Sequence, residues 1–130
     1  MSPESAGDDW IRSGFIAIGT SDLDALVTFY RDLLDQDPQV YQADRYGEFR
    51  IPGLRLALFQ PQADQADQFR STIGGSLSVC ITVSDLDRAI DRCCDLHLSP
   101  SAMQMASHGR EFFVQDPLGN RILFYEPHRS

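Results

Sequence analysis

Two arginines stand at matching places in this sequence. Arg55 opens RLALFQP (55–61), Arg121 opens RILFYEP (121–127), and each segment follows a turn containing Pro and Gly. Guanidinium groups placed this way could engage a carboxylate or phosphate, because the planar fork donates two parallel hydrogen bonds to such a group. They could equally stand at a rim with their charge in water. Other residues able to do chemistry are sparse. Cys80, Tyr125 and His108 are candidate nucleophilic or acid–base groups, but no spacing joins them into a recognisable triad. Cys80, Cys93 and Cys94 form an odd set without CxxC spacing, so neither a zinc site nor a disulfide framework is expected. They read as reduced thiols used in packing.

The elements that must position these groups come in two copies. FIAIGTSDLDALVTFYRDLL (15–34) lies over SVCITVSDLDRAIDRCCDLH (78–97), so the quartet SDLD occurs at 21–24 and again at 84–87. Each copy begins with a two-residue alternation, the pattern of a strand: Ile16, Ile18 and Thr20 on one face, Val79, Ile81 and Val83 in the repeat. Ser21 or Asp22, and Ser84 or Asp85, then cap a helix, with Asp24 and Asp87 in its first turn. Leu23, Leu26, Val27, Tyr30 and Leu34 form one apolar side of the first helix. Leu86, Ala89, Ile90, Cys93 and His97 repeat that spacing in the second.

Three further strands follow each helix, near 39–43, 46–51 and 54–60, and near 101–106, 110–115 and 120–126. DRYG (44–47), SHG (107–109) and DPLGN (116–120) are hairpin turns on this reading. The polar, Gly-ended stretch from 62 to 75 connects the halves and has room for a helical turn around Ala63–Phe69. The expectation is one α+β domain over residues 1–130, built of two tandem β-α-β-β-β modules at about 14–61 and 76–127.

The net charge of −8, carried against arginine alone since lysine is absent, argues against nucleic acid as a partner. No apolar run reaches the roughly 18 residues of a membrane span. The polar N-terminal MSPESAGDDW lacks the basic start and apolar core of a secretory signal, so a soluble cytoplasmic protein is expected.

The strand ending in SDLD, the helix containing FYRDLL, the second SDLD and the closing DPLGNRILFYEP together resemble the glyoxalase / bleomycin-resistance / extradiol-dioxygenase family, the vicinal oxygen chelate superfamily. The resemblance spans residues 14–127. It implies curved mixed sheets forming a cup, with helices on the outer face. In the family's enzymes four cup residues hold a divalent metal: His or Gln and His on the two first strands, Glu on the two fourth strands. Imidazole and carboxylate suit Zn, Ni, Fe or Mn. Carried over here, the first-strand positions, seven residues before the corner Asp, fall on Phe15 and Ser78. The fourth-strand positions fall on Ala57 and Leu123. Phe, Ala and Leu offer no donor, and a neutral hydroxyl is a poor ligand, so no metal centre of the family kind and no cofactor are expected. Gln60 and Glu126 lie three residues beyond those positions, and an odd shift along a strand turns a side chain to the other face.

On the same alternation the cup is lined by Phe15, Ala17 and Gly19, by Arg55, Ala57 and Phe59, by Ser78, Cys80 and Thr82, and by Arg121, Leu123 and Tyr125. Either these rings fill a core or dimer interface, or they wall a pocket with a few orienting polar groups. Ala17, Gly19 and Ala57 are small where a filled core would prefer bulk. The leading expectation is a metal-independent protein that binds a planar or aromatic small molecule. The resemblance implies association as a homodimer by module pairing or exchange, which also hides sheet edges. The alternative is a lyase, isomerase or dioxygenase with an atypical active site. Trp10, in the polar N-terminal arm, would lie across a groove or on a partner chain, and His108 would reach the cup mouth from a hairpin tip or stay on the surface.

Overall fold

The computed structural model describes residues 13–64, 77–106 and 109–128. Trp10, His108 and most of the expected connector therefore lie outside the described residues. The observed elements repeat β-α-β-β-β twice. Module one comprises β1 (Ile16–Gly19), α1 (Leu23–Leu34), β2 (Val40–Gln42), β3 (Tyr46–Ile51) and β4 (Leu54–Phe59). Module two comprises β5 (Ser78–Thr82), α2 (Leu86–Asp95), β6 (Gln104–Ala106), β7 (Gly109–Gln115) and β8 (Arg121–Pro127). Each module has one four-stranded sheet, in the orders β1-β4-β3-β2 and β5-β8-β7-β6. In both, the first strand joins the fourth in parallel and the remaining pairs are antiparallel.

The repeated SDLD quartet is the strand-to-helix corner, and the aspartate rather than the serine caps. The Asp22 carboxylate accepts the Ala25 N–H at 3.2 Å, and Asp85 accepts the Arg88 N–H at 3.2 Å. Each satisfies one of the orphan donors of a helix start. Glu126 adds a further acceptor, taking the Leu86 N–H at 2.6 Å. Its side chain thus points to the helix side of the sheet, away from the cup, as the odd shift requires.

Three details differ from the sequence expectation. Leu33 rather than Leu34 is fully buried on α1, because the helix presents its 23-26-27-30-33 stripe to the core. α2 stops at Asp95, and His97 leaves the apolar face in a left-handed conformation (φ 62°), while Leu96 and Leu98 pack against the core instead. The first hairpin turns at 43–45, where Asp44 takes φ 65°, so Tyr46 and Gly47 belong to β3. Glycine is obligatory at Gly109: a Cβ there would sit 2.3 Å from the Glu126 carbonyl oxygen of the neighbouring strand.

One core serves both modules. Leu56 and Leu58 of the first sheet and Ile122 and Phe124 of the second are buried with Tyr30 and Leu33 of α1 and Leu86 and Cys93 of α2. Tyr30, Phe49 and Leu56 of module one line a narrow void together with Val79 and Ile81 of module two. The helix-facing sides of the two modules are therefore packed against each other. Burial, and secondarily the neighbouring Cys94, pushes the Cys93 thiol up to about 11, so it stays protonated and packs as a small apolar group.

Polar ties from Arg92 and from Tyr30 cross the module boundary. Arg92 of α2 donates to the Asp32 carbonyl through Nε (3.0 Å) and Nη2 (2.6 Å), satisfying an orphan acceptor at the end of α1. The Tyr30 hydroxyl donates to Asp116 Oδ2 at 2.8 Å. Asp116 is buried in the turn between β7 and β8, where it also accepts the Leu118 and Asn120 N–H groups and the Asn120 side-chain amide. Gly119, at φ 86°, lets that turn close. Burial and then the Asp116 charge push the Tyr30 hydroxyl far above its ordinary range, so it remains a donor. Tyr30→Phe removes a buried hydrogen bond to a charged acceptor and is expected to lower stability by about 1.5–3 kcal/mol, measured by urea unfolding.

Candidate functional site

With one side of each sheet committed to the shared core, the other side is the candidate cup. Strand register sorts the side chains. On module one Ala17 stands beside Ala57, and Gly19 beside Phe59. Tyr46, Glu48 and Arg50 are opposite Phe59, Ala57 and Arg55. On module two Ser78, Cys80 and Thr82 stand beside Arg121, Leu123 and Tyr125, with Gln115, Phe113 and Glu111 opposite those three in turn. Ala17, Arg55, Ala57 and Phe59 thus share one register parity, and Ser78, Cys80, Arg121, Leu123 and Tyr125 another, while Phe15 immediately precedes β1. The described residues leave much of these faces open. Phe15 is 51% exposed, and Ala17, Ser78, Cys80, Thr82 and Arg121 are also exposed.

The candidates form two groups, because the modules meet through their helix-facing sides and leave the cup faces turned outward. Phe15, Ala17, Arg55, Ala57 and Phe59 belong to one wall, and Ser78, Cys80, Arg121, Leu123 and Tyr125 to the other. They adjoin where β1 and β5 come together, at an apolar cleft of about 340 Å³. Of the ten, Ala17, Ser78 and Arg121 line it, with Ile16, Ile18 and Leu77 supplying much of its apolar wall. Ala57 is 1% exposed and forms the floor beneath its neighbours rather than an open surface.

What covers Ala57 is a charge network that sequence reasoning missed. The Glu48 carboxylate, 5% exposed, accepts the Tyr46 hydroxyl at 2.6 Å through Oε1 and Arg50 Nε through Oε2. Arg55 Nε lies 3.9 Å from Oε1, beyond hydrogen-bonding reach. The Arg55 guanidinium carbon lies 4.3 Å from the centroid of the Phe15 ring, a cation–π contact. The Tyr46 hydrogen bond, followed by that from Arg50, holds the Glu48 carboxyl below the usual carboxylate range. The same bond pushes the Tyr46 hydroxyl up. The signal was available: Tyr46, Glu48 and Arg50 recur every second residue on one strand, so all three must share a face.

Module two differs at the equivalent place. Glu48 stands opposite Ala57, whereas Phe113 stands opposite Leu123. Arg121 accordingly has an aromatic neighbour, its guanidinium 5.0 Å over the Phe113 ring. One wall is cross-braced by charge at its centre, and the other has Phe113 and Leu123 at its centre with Glu111, Gln115 and Arg121 nearer its ends.

The positions from which family enzymes hold a metal do not fit one here. Phe15, Ala57 and Leu123 carry no donor, and both oxygens of the nearest carboxylate, Glu48, are engaged by Tyr46 and Arg50. Among the described residues no three His, Cys, Asp or Glu side chains gather closely enough to hold an ion.

The chain matches the family model described as the Glyoxalase/Bleomycin resistance protein/Dioxygenase superfamily over residues 12–124. Solved structures share the fold at low identity. A lactoylglutathione lyase from Agrobacterium tumefaciens is 21% identical (TM-score 0.67), the match covering 88% of this chain and 94% of that one. An antibiotic binding protein from a Streptomyces strain is 20% identical (TM-score 0.69), covering 92% and 100%. A bleomycin resistance determinant encoded on a transposon is 16% identical (TM-score 0.67), also covering 92% and 100%. No curated protein matches the chain significantly.

The lowered Glu48 carboxyl has a consequence for acid stability. A carboxyl depressed in the fold contributes stability above its unfolded value, about 4.5, and that contribution is lost as pH falls through the folded value. Glu48→Gln should therefore flatten the acid limb of a stability–pH curve, followed by thermal unfolding, relative to the wild type below that pH.

Proposed function

Since the chain belongs to the glyoxalase/bleomycin resistance/dioxygenase superfamily, we propose that it binds a planar or aromatic small molecule without using a metal. The observation that carries this reading is the chemistry of the cup positions. Where the family's enzymes chelate an ion, this chain presents Phe15, Ala57, Ser78 and Leu123, on faces that carry exposed rings and small side chains. Apolar walls with a few orienting polar groups are what a binding pocket for such a ligand needs. Likeness to an antibiotic binding protein and to a bleomycin resistance determinant supports binding as a use of this fold.

The proposal extends to a homodimer. A single chain turns its two cup walls outward, so a full enclosure needs the wall of module two on a second copy to close over module one. Because the modules repeat one pattern, a two-fold axis would make two such cups at once, a closed isologous arrangement. It would also cover Phe15, Ile16 and Leu77, whose exposures are 51%, 43% and 79%.

Sedimentation equilibrium should give a species of twice 14.6 kDa. Screening planar aromatic compounds by thermal shift should find a ligand that stabilises by about 2.7 kcal/mol at 100 times its Kd. That ligand should slow alkylation of Cys80, on the cup, far more than that of Cys94, on the exposed side of α2. A stoichiometric transition metal in protein purified without chelator would overturn the reading in favour of metal-dependent lyase, isomerase or dioxygenase chemistry. A monomer, or equal slowing at both cysteines, would overturn the cup assembly.

A further inference from the structure

Arg55 is the unusual charged group of the cup. Its Nε is buried and has no acceptor among the described residues. The nearest carboxylate oxygen, on Glu48, is 3.9 Å away and already accepts the Tyr46 hydroxyl. The other Glu48 oxygen is taken by Arg50. Glu48 thus neutralises one arginine of two, leaving a surplus positive charge on this wall. The chain as a whole carries −8, so bulk charge repels anions and any attraction for them must be this local.

The contact with Phe15 matters for what that charge is able to do. A cation–π contact uses the face of the guanidinium, whereas its N–H donors lie in the plane and remain available. Phe15 therefore braces the guanidinium without itself accepting its in-plane N–H groups, and those on the Nη atoms are the ones a ligand would meet. A planar, pre-oriented guanidinium suits carboxylate or phosphate oxygens, which accept two parallel hydrogen bonds from it. The facing wall has no matching carboxylate at the equivalent place, because Phe113 stands where Glu48 does in module one.

We propose that Arg55 anchors an oxyanion, a carboxylate or a phosphate, on an aromatic ligand whose apolar body lies against Phe113, Leu123 and Tyr125 of the opposite wall. The assignment rests on the cup reading above and names the ligand class that this cup takes. Arg50 and Glu48 are positioning residues. Arg50 holds Glu48 away from Arg55, so losing Arg50 would free the carboxylate to quench the anchor, and losing the carboxylate would strengthen it.

The test is calorimetric titration of the full chain, at neutral pH and low salt, with 2-naphthoate, 2-naphthyl phosphate and the uncharged 2-naphthamide. At least one anion should bind about tenfold or more tighter than the amide, the ratio expected when a charge-assisted bidentate contact is added to a shared apolar body. Whichever anion leads identifies carboxylate or phosphate as the preferred head group. Arg55→Gln should erase the anion preference while leaving the amide affinity within about twofold, whereas Glu48→Gln should widen the preference about threefold or more. Arg88→Gln, on the far side of the molecule, should leave the preference intact.

Opposite directions from the two cup variants separate an electrostatic role from general damage, which would weaken every ligand alike. Should Arg55→Gln fail to fold, Arg55→Lys, which keeps the charge and loses the fork, should narrow the preference, and Glu48→Gln still tests the sign. Equal affinity for amide and both anions would overturn the Arg55 assignment and leave the binding reading standing. Binding of none of the three would overturn both.

Discussion

Everything in this molecule follows from which side of each sheet is committed to the core. A strand alternates its side chains with a period of two, so assigning one face assigns the other. Here Leu56, Leu58, Ile122 and Phe124 are claimed by α1, α2 and each other. That choice turns Phe15, Ala17, Ser78, Cys80 and Arg121 outward, and all five are exposed. The buried Tyr30–Asp116 hydrogen bond reinforces the choice, because it ties the first helix to a turn of the second module. Breaking that bond would leave the buried Tyr30 hydroxyl without its acceptor, which is costly, while Asp116 would keep its partners in the turn.

The corners are built for economy. Each SDLD provides a capping aspartate, a buried leucine and an aspartate facing the helix dipole in four residues. Two such corners orient two helices identically on two sheets, and the sheets inherit a common parity. The duplication thereby delivers two cup walls with matched positions. What stands at those positions was free to diverge, since neither the caps nor the core depends on it.

Much of this was legible in the sequence because it is periodic. The strands and the corners follow from two-residue alternation and from capping chemistry, and the two β-α-β-β-β modules are observed in that order. The less legible parts are those set by tertiary packing. Whether Leu33 or Leu34 is covered depends on where α1 lies against the second module, and alternation says nothing about that. His97 leaves the helix because the chain turns at Leu96 to bury Leu98, a decision made by the core. Most instructive is Glu48. A glutamate in a strand reads as a solvated face; the spacing of Tyr46, Glu48 and Arg50 puts them on one face, but their closure over a buried carboxylate is set by contact geometry.

The divergence between the walls gives the duplication a chemical meaning. Two identical walls would make a symmetric cup suited to a symmetric ligand. Instead Ala57 faces Glu48 on one wall while Leu123 faces Phe113 on the other. Small beside charged becomes large beside aromatic, so volume is moved from one wall to the other and polarity in the reverse direction. If walls from two copies close over one another, each cup receives one of each kind, and both cups of the dimer are equivalent by symmetry. An asymmetric ligand then has a single favoured orientation, its polar end toward Arg55 and its apolar end toward Phe113. Closure with like walls together would place Arg50 and Arg55 against their own copies, and like charges brought together in a water-poor cup repel. In such a dimer the arginine surplus that would select an anion would also disfavour pairing module one with its own copy.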